Sequence, residues 1–193
     1  MEAATRTQRA DAKRNREAVI ETAIELLGRD PSASISDIAA ASKVGRTTVY
    51  RHFPTRDDLL VAMFGRVIEE SREMTVGVVE SAGSAEDLLR RLAPAMIQLG
   101  LRFRFLHVYR HLGQQTLESS KQVPDDPVRI YLAEARERGE VRAGLTDQWI
   151  ASTIQALAIA ALDDLHAGFT DEAGAELQLA DTLVAAIVAR RLS

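Results

Sequence analysis

Arg46, Thr47, Thr48, Tyr50, Arg51 and His52 fall within seven consecutive residues of a 193-residue chain. An arginine can pair bidentately with a guanine edge, and a threonine methyl can meet a thymine methyl. Arg46 and Thr47 therefore suit base edges. The Thr48 hydroxyl and the Tyr50 phenol suit phosphate oxygens. Val49 and Phe53 break this polar run at helical spacing and read as core positions. The pattern describes a short helix, apolar on one side, that offers hydrogen-bonding groups to a nucleic acid on the other.

Such a helix has to be held. Ser34 lies three residues before Asp37, a capping box with Asp in the Glu/Gln position, so a second helix is expected over about Ile35–Ser42 with Ile35, Ile38 and Ala39 inward. Lys43-Val44-Gly45 makes the turn, and the polar helix then covers about Arg46–Phe53. Pro54 ends it, because the residue before a proline disfavours the helical region. Two short helices around a tight turn place the second in the major groove of DNA. Backbone N–H groups at the starts of the second and fourth helices are further phosphate anchors, which adds Ser34, Ser36 and Arg56.

The remaining segments read as helix throughout. A first helix over Arg14–Arg29 carries Val19, Ala23, Ile24, Leu26 and Leu27 on a stripe and is broken by Asp30-Pro31. Ahead of it lies a basic arm with Arg6, Arg9 and Lys13, read as flexible. Thr55 and Asp58 cap a long helix from Arg56 past Met74. A fifth helix spans about Ala85–Leu99, with Pro94 expected to kink it. The aromatic stretch Leu101–Gly113 follows, then a polar loop over 114–127. Later helices are expected over Pro127–Arg138, Thr146–His166 and Thr170–Arg191, with Gly139 and Gly168 as stops and Thr170 as the last cap. The expected class is all-α, with about nine helices.

Composition limits the alternatives. There is no cysteine, which excludes disulfides, thiol catalysis and zinc–thiolate sites. No apolar run approaches the ~20 residues of a membrane span, and the N-terminal residues lack the apolar core of a secretory signal, so a cytoplasmic protein without membrane contact is expected. Net charge is −4, but it is unevenly spread: residues 1–56 carry ten Lys and Arg against seven Asp and Glu, and residues 57–193 carry fourteen against twenty-one. A basic head on an acidic body follows. Gly-rich phosphate loops, His-Glu-x-x-His and Gly-x-Ser-x-Gly are missing from the sequence. His107 and His111 share a helical spacing, but two histidines without a carboxylate do not make a metal set. Asp163-Asp164 point about 100° apart and suit a solvated helix end. No enzyme, cofactor or metal site is expected.

Ile38-Ala39, Val44, Thr48-Val49-Tyr50, His52-Phe53 and Thr55-Arg-Asp-Asp-Leu-Leu60 together resemble the signature of tetracycline-repressor-type (TetR) transcriptional regulators, over roughly residues 14–64. The resemblance implies an N-terminal helix-turn-helix domain over 1–54, its residues 1–13 a flexible arm, and a helical ligand-binding and dimerisation domain over 55–193. It implies a repressor that binds a palindromic operator in double-stranded DNA as a homodimer. Ser34, Ser36, Arg46, Thr47, Thr48, Tyr50, Arg51, His52 and Arg56 would be its DNA-contacting set. An activator, or a regulator answering to a protein partner, is the alternative within that fold; a small helical enzyme is the remote one.

Two positions depart from the family's pattern. Lys43 stands where it usually has a glycine, and must accept a positive φ unless the turn differs. Gly45 stands where serine is common and removes a side-chain cap. On the same reading the Ala-rich helices over 146–166 and 171–191 pair two subunits as a four-helix bundle. An unidentified small apolar effector is expected in the body, lined by Met96, Phe103, Phe105, His107, Tyr109, Tyr131 and Trp149.

Overall fold

The computed structural model describes residues 2–109 and 126–189. Its elements are α1 (Glu2–Arg29), α2 (Ile35–Ser42), α3 (Arg46–His52), α4 (Arg56–Ser81), α5 (Ala85–Arg102), α6 (Phe105–Val108), α7 (Pro127–Glu137), α8 (Asp147–Ala167) and α9 (Glu172–Ile187). Among the described residues the only β pairing is an isolated antiparallel bridge between Val141 and Val188. No helix among them is long and apolar enough to cross a membrane.

The chain divides into two compact units. One comprises Met1–Ile68 with Phe103–Ser120, and the other Glu69–Arg102 with Lys121–Ser193. The expected division after residue 54 is one of function; packing instead keeps the start of α4, and a piece of chain that follows α5, with the head.

In the first unit α1 buries Val19, Ile20, Ala23, Ile24 and Leu27, α2 buries Ile38 and Ala39, and α3 buries Val49, with Phe53 just beyond it. The first half of α4 adds Leu59, Leu60, Met63, Phe64 and Val67. The Arg66 guanidinium reaches from α4 to Glu21 at 3.0 Å and Glu17 at 3.3 Å on α1. The 1–13 stretch, expected as a flexible arm, is helical from Glu2 onward. Its Ala, Arg, Gln and Glu content favours helix, and nothing between it and Arg14 breaks one.

In the second unit α5, α8 and α9 pack around Leu88, Leu89, Leu92, Ile97, Ile150, Ile154, Leu179 and Leu183, and α7 adds Val128, Leu132 and Ala135. Helix α5 runs unbroken through Pro94. The buried face of α9 is Ala175, Leu179, Ala180, Leu183 and Ile187, while Leu177 is exposed. Leu177 faces outward because Leu179 and Leu183 take the core positions. Asp171, not Thr170, caps α9, through the Gly174 amide at 2.8 Å. The helix stops at Ile187, short of the expected Arg191. There Val188 turns extended to meet Val141, and the Arg142 amide donates to the Ile187 carbonyl at 2.9 Å.

The other caps follow the expected chemistry. Thr55 and Asp58 exchange bonds at the start of α4, Ser84 accepts from the Asp87 amide, and Thr146 accepts from that of Trp149. Gly168 closes α8 with φ 77°. Most of the polar loop expected over 114–127, with His111 before it, lies outside the described residues. Its last two positions are described: Asp126 caps α7, and Pro127 is that helix's first residue.

Candidate nucleic-acid interface

The head is built on the capping box at Ser34. The Ser34 hydroxyl and amide both donate to the Asp37 carboxylate, at 2.6 and 2.8 Å, and the Asp37 amide donates back to the hydroxyl at 3.2 Å. These bonds hold the Asp37 carboxyl below its ordinary value, and the Arg46 charge lowers it further. At the other end of α2, Lys43 adopts φ 59°, ψ 13°, the left-handed conformation anticipated for it. Gly45 then precedes α3 with no side-chain cap. The turn keeps its geometry despite the lysine, at the cost of local strain.

This turn presents α3 with one face sealed and the other open. Val49 and Phe53 are fully buried, whereas Arg46, Thr47, Tyr50 and Arg51 are exposed and Thr48 and His52 half-buried. The Tyr50 hydroxyl lies 3.4 Å from that of Ser36, which steadies the phenol toward the start of α2. Burial pushes the His52 imidazole below its ordinary value, and the charges of Arg51 and Arg16 act in the same direction. Its Nε2 is buried without a hydrogen-bond partner. Arg16, one of the basic residues at the N-terminus of the sequence, stacks its guanidinium 5.4 Å from the Phe53 ring centre. Three basic groups from α1 and α3 thus gather at the end of α3.

Two members of the expected contact set are occupied. The Ser34 amide is committed to Asp37, so an anion at the start of α2 would meet the other first-turn amides. The Arg56 guanidinium bonds to the carbonyls of Pro31 and Ala33 and to the Tyr109 hydroxyl. Arg56 retains only its place at the start of α4 as a backbone anchor.

The seven expected pocket residues are divided between the two units. Phe103 and Phe105 are fully buried in the first unit, Phe105 edge-on to Phe64 at 5.7 Å. Tyr109 belongs to that unit too. Met96 and Tyr131 pack on the core of the second, where the Tyr131 hydroxyl donates to the Ala82 carbonyl at 3.2 Å. Trp149 stands exposed on the first turn of α8. His107 lies on α6. Phe103 in the turn before α6 and Phe105 at its first position, two apart, both serve one core.

The geometry defines a helix-turn-helix nucleic-acid-binding head joined to an all-helical body. Residues 19–63 match the family described as bacterial regulatory proteins, tetR family. Over 88 residues the chain is 36% identical to the HTH-type transcriptional repressor LfrR of Mycolicibacterium smegmatis, a stretch that covers 46% of this chain and 47% of that one. The matched stretch thus spans about half of that curated relative. A crystal structure of LfrR in complex with proflavine superposes with a TM-score of 0.72 at 25% identity, covering 92% of this chain and 98% of that one. A regulator from Saccharomonospora viridis, solved with choline, shares the fold with a TM-score of 0.77 at 19% identity, over 92% of this chain and 100% of that one. The head thus matches the tetR family over residues 19–63, and the fold is shared with a tetR-like regulator.

Proposed function

We propose that the protein is a transcriptional repressor that binds a palindromic operator as a homodimer and leaves it when a small apolar molecule binds the body. The observation that carries this reading is the division of α3. Val49 and Phe53 anchor it, and Arg46, Thr47, Tyr50 and Arg51 are left facing outward.

Arg46 and Thr47 read base edges, and Thr48, Tyr50, Arg51 and His52 serve phosphates. First-turn amides at Ser36 and Arg56 add backbone anchors. The reading is supported by the repressor name of LfrR, whose head resembles this one. The outer faces of α8 and α9 would pair two copies: Trp149, Ala156 and Ala160 are exposed on one, Leu177 and Ala185 on the other. Small residues let helices approach closely, and two helices from each copy make a four-helix bundle. Residues 1–54 would read DNA and 55–193 would hold the effector and the dimer. LfrR has been crystallised with proflavine, a precedent for an aromatic effector here.

The test is a gel-shift assay on palindromic sites near the protein's own gene at moderate salt, followed by a small-molecule release screen. Equal retention of palindromic and unrelated duplexes overturns the reading of DNA sequence. Sedimentation as a monomer at micromolar concentration overturns the dimer. For a molecule that releases DNA, linkage requires that operator weaken its binding by the same factor. Equal calorimetric affinities with and without operator overturn the effector mechanism.

A further inference from the structure

After α5 the chain runs Phe103-Arg-Phe-Leu-His-Val-Tyr109, and this segment belongs to the DNA-reading unit. Phe103 and Phe105 seal it there; their rings meet edge-on at 6.2 Å. The segment passes within contact of α1 at Gly28, where a Cβ would lie 3.6 Å from the Arg104 Cβ and 3.9 Å from the Phe105 amide nitrogen.

At the end of the segment the Tyr109 hydroxyl donates to the Pro31 carbonyl at 2.8 Å and accepts from Arg56 Nη2 at 2.7 Å. The same Nη2 donates to the Pro31 carbonyl at 2.8 Å, and Nη1 donates to that of Ala33. The guanidinium lies 6.0 Å from the Tyr109 ring centre. Pro31 and Ala33 lie within the three residues before Ser34, the cap of α2, and Arg56 is the first residue of α4. One guanidinium and one phenol therefore join the starts of the two helices that flank the recognition helix.

We propose that Tyr109 and Arg56 are positioning residues for DNA binding: their clasp on the Pro31 and Ala33 carbonyls sets the first turns of α2 and α4 against the phosphate backbone. This rests on the repressor reading above. It moves Tyr109 from the effector pocket and joins it to the Arg56 side chain in one device. The fork geometry of arginine is needed, because a lysine cannot address two carbonyls and a phenol with fixed directions.

The experiment uses the full chain and the palindromic duplex that the wild-type protein selects. Binding is measured across a salt series for Tyr109→Phe, Arg56→Gln, Arg56→Lys and the Tyr109→Phe/Arg56→Gln double variant. Tyr109→Phe keeps the ring and removes only the hydroxyl; it is expected to weaken binding about three- to tenfold, the scale of one or two hydrogen bonds. The slope of log K against log salt should match wild type in every variant, since no phosphate contact is lost. Arg56→Lys should restore less than half of the loss, and the double variant should bind no more weakly than Arg56→Gln alone.

A salt slope lowered by about one in Arg56→Gln would make Arg56 a phosphate contact and overturn the proposal. Wild-type affinity in Tyr109→Phe would also overturn it. Amide exchange is read in parallel on the free proteins: Tyr109→Phe should quicken residues 31–38 and leave the α9 peptides unchanged. If wild type selects no palindrome, the repressor reading fails by itself. The exchange measurement then decides the clasp alone, unchanged exchange over 31–38 being the result that overturns it.

Discussion

Lys43→Gly should make the protein more stable. Lys43 closes α2 at φ 59°, and it is the only non-glycine residue with positive φ among those described. In that region the Cβ crowds the following carbonyl oxygen, at a cost of about 1–2 kcal/mol. Glycine removes that cost but frees the unfolded chain, which takes back about 0.4–1 kcal/mol. The Lys43 side chain is exposed, so little contact energy is lost with it. The net expectation is a gain of about 0.5–1 kcal/mol, or roughly 1–4 °C in the melting midpoint of a chain this long. Urea and thermal unfolding at one fixed protein concentration measure it, with Lys43→Ala as the control. Alanine keeps the Cβ, so its variant should stay within about 0.5 kcal/mol of wild type. Lys43→Val, branched at the crowded atom, should fall at least ~1 kcal/mol below. If the glycine variant is no more stable than the alanine variant, the left-handed turn costs nothing here and the reasoning fails.

Arg46→Ala should weaken operator binding by about 1–3 kcal/mol and relax preference at one base pair per half-site; uniform weakening over all sequences would show Arg46 to be a phosphate contact. Gly100→Ala should destabilise the second unit by about 1–3 kcal/mol, because the added methyl would lie 2.3 Å from Leu162 Cδ1. Adding Leu162→Ala should then cost less than it does in the wild-type background, and additive losses would refute the clash. His52, lowered in the folded state, takes up its proton later than the unfolded chain does, so stability should fall as pH drops from the ordinary value of 6.5 toward the lower folded one. His52→Gln should flatten that part of the stability profile, and an identical profile would contradict the burial assigned to His52.

The head was legible because its signals are local. Ser34 and Asp37 are three residues apart and make their box within one turn. Pro54 stops α3 through its own ring. Each asks only for neighbours in sequence. The pocket was not legible because its residues had to be assigned by type. Phe103, Phe105 and Tyr109 offer the same aromatic character whether they line a cavity or fill a core. What decides is the return of the chain to α1 and α4 across more than forty residues from Arg56, and no local pattern encodes that. The face of α9 is hard to read from sequence for a related reason. Leu177 and Leu179 both suit an apolar stripe, and only packing against α5 selects Leu179.

The connectivity also says where control can act. The chain crosses between its two units after Ile68, after Arg102 and after Ser120. The first crossing lies inside α4, a 26-residue helix whose early residues Leu60 and Phe64 are buried in the head while Met74 and Val78 pack on the core of the second unit. The second crossing enters the segment that ends in Tyr109. An effector acts only by binding one arrangement of the chain more tightly than another. Both described crossings lead to the same place: α4 begins at Arg56, and the segment after α5 ends on the Arg56 guanidinium. The residue that sequence placed at the start of α4 as a phosphate anchor is thus where two described stretches of chain meet within the first unit.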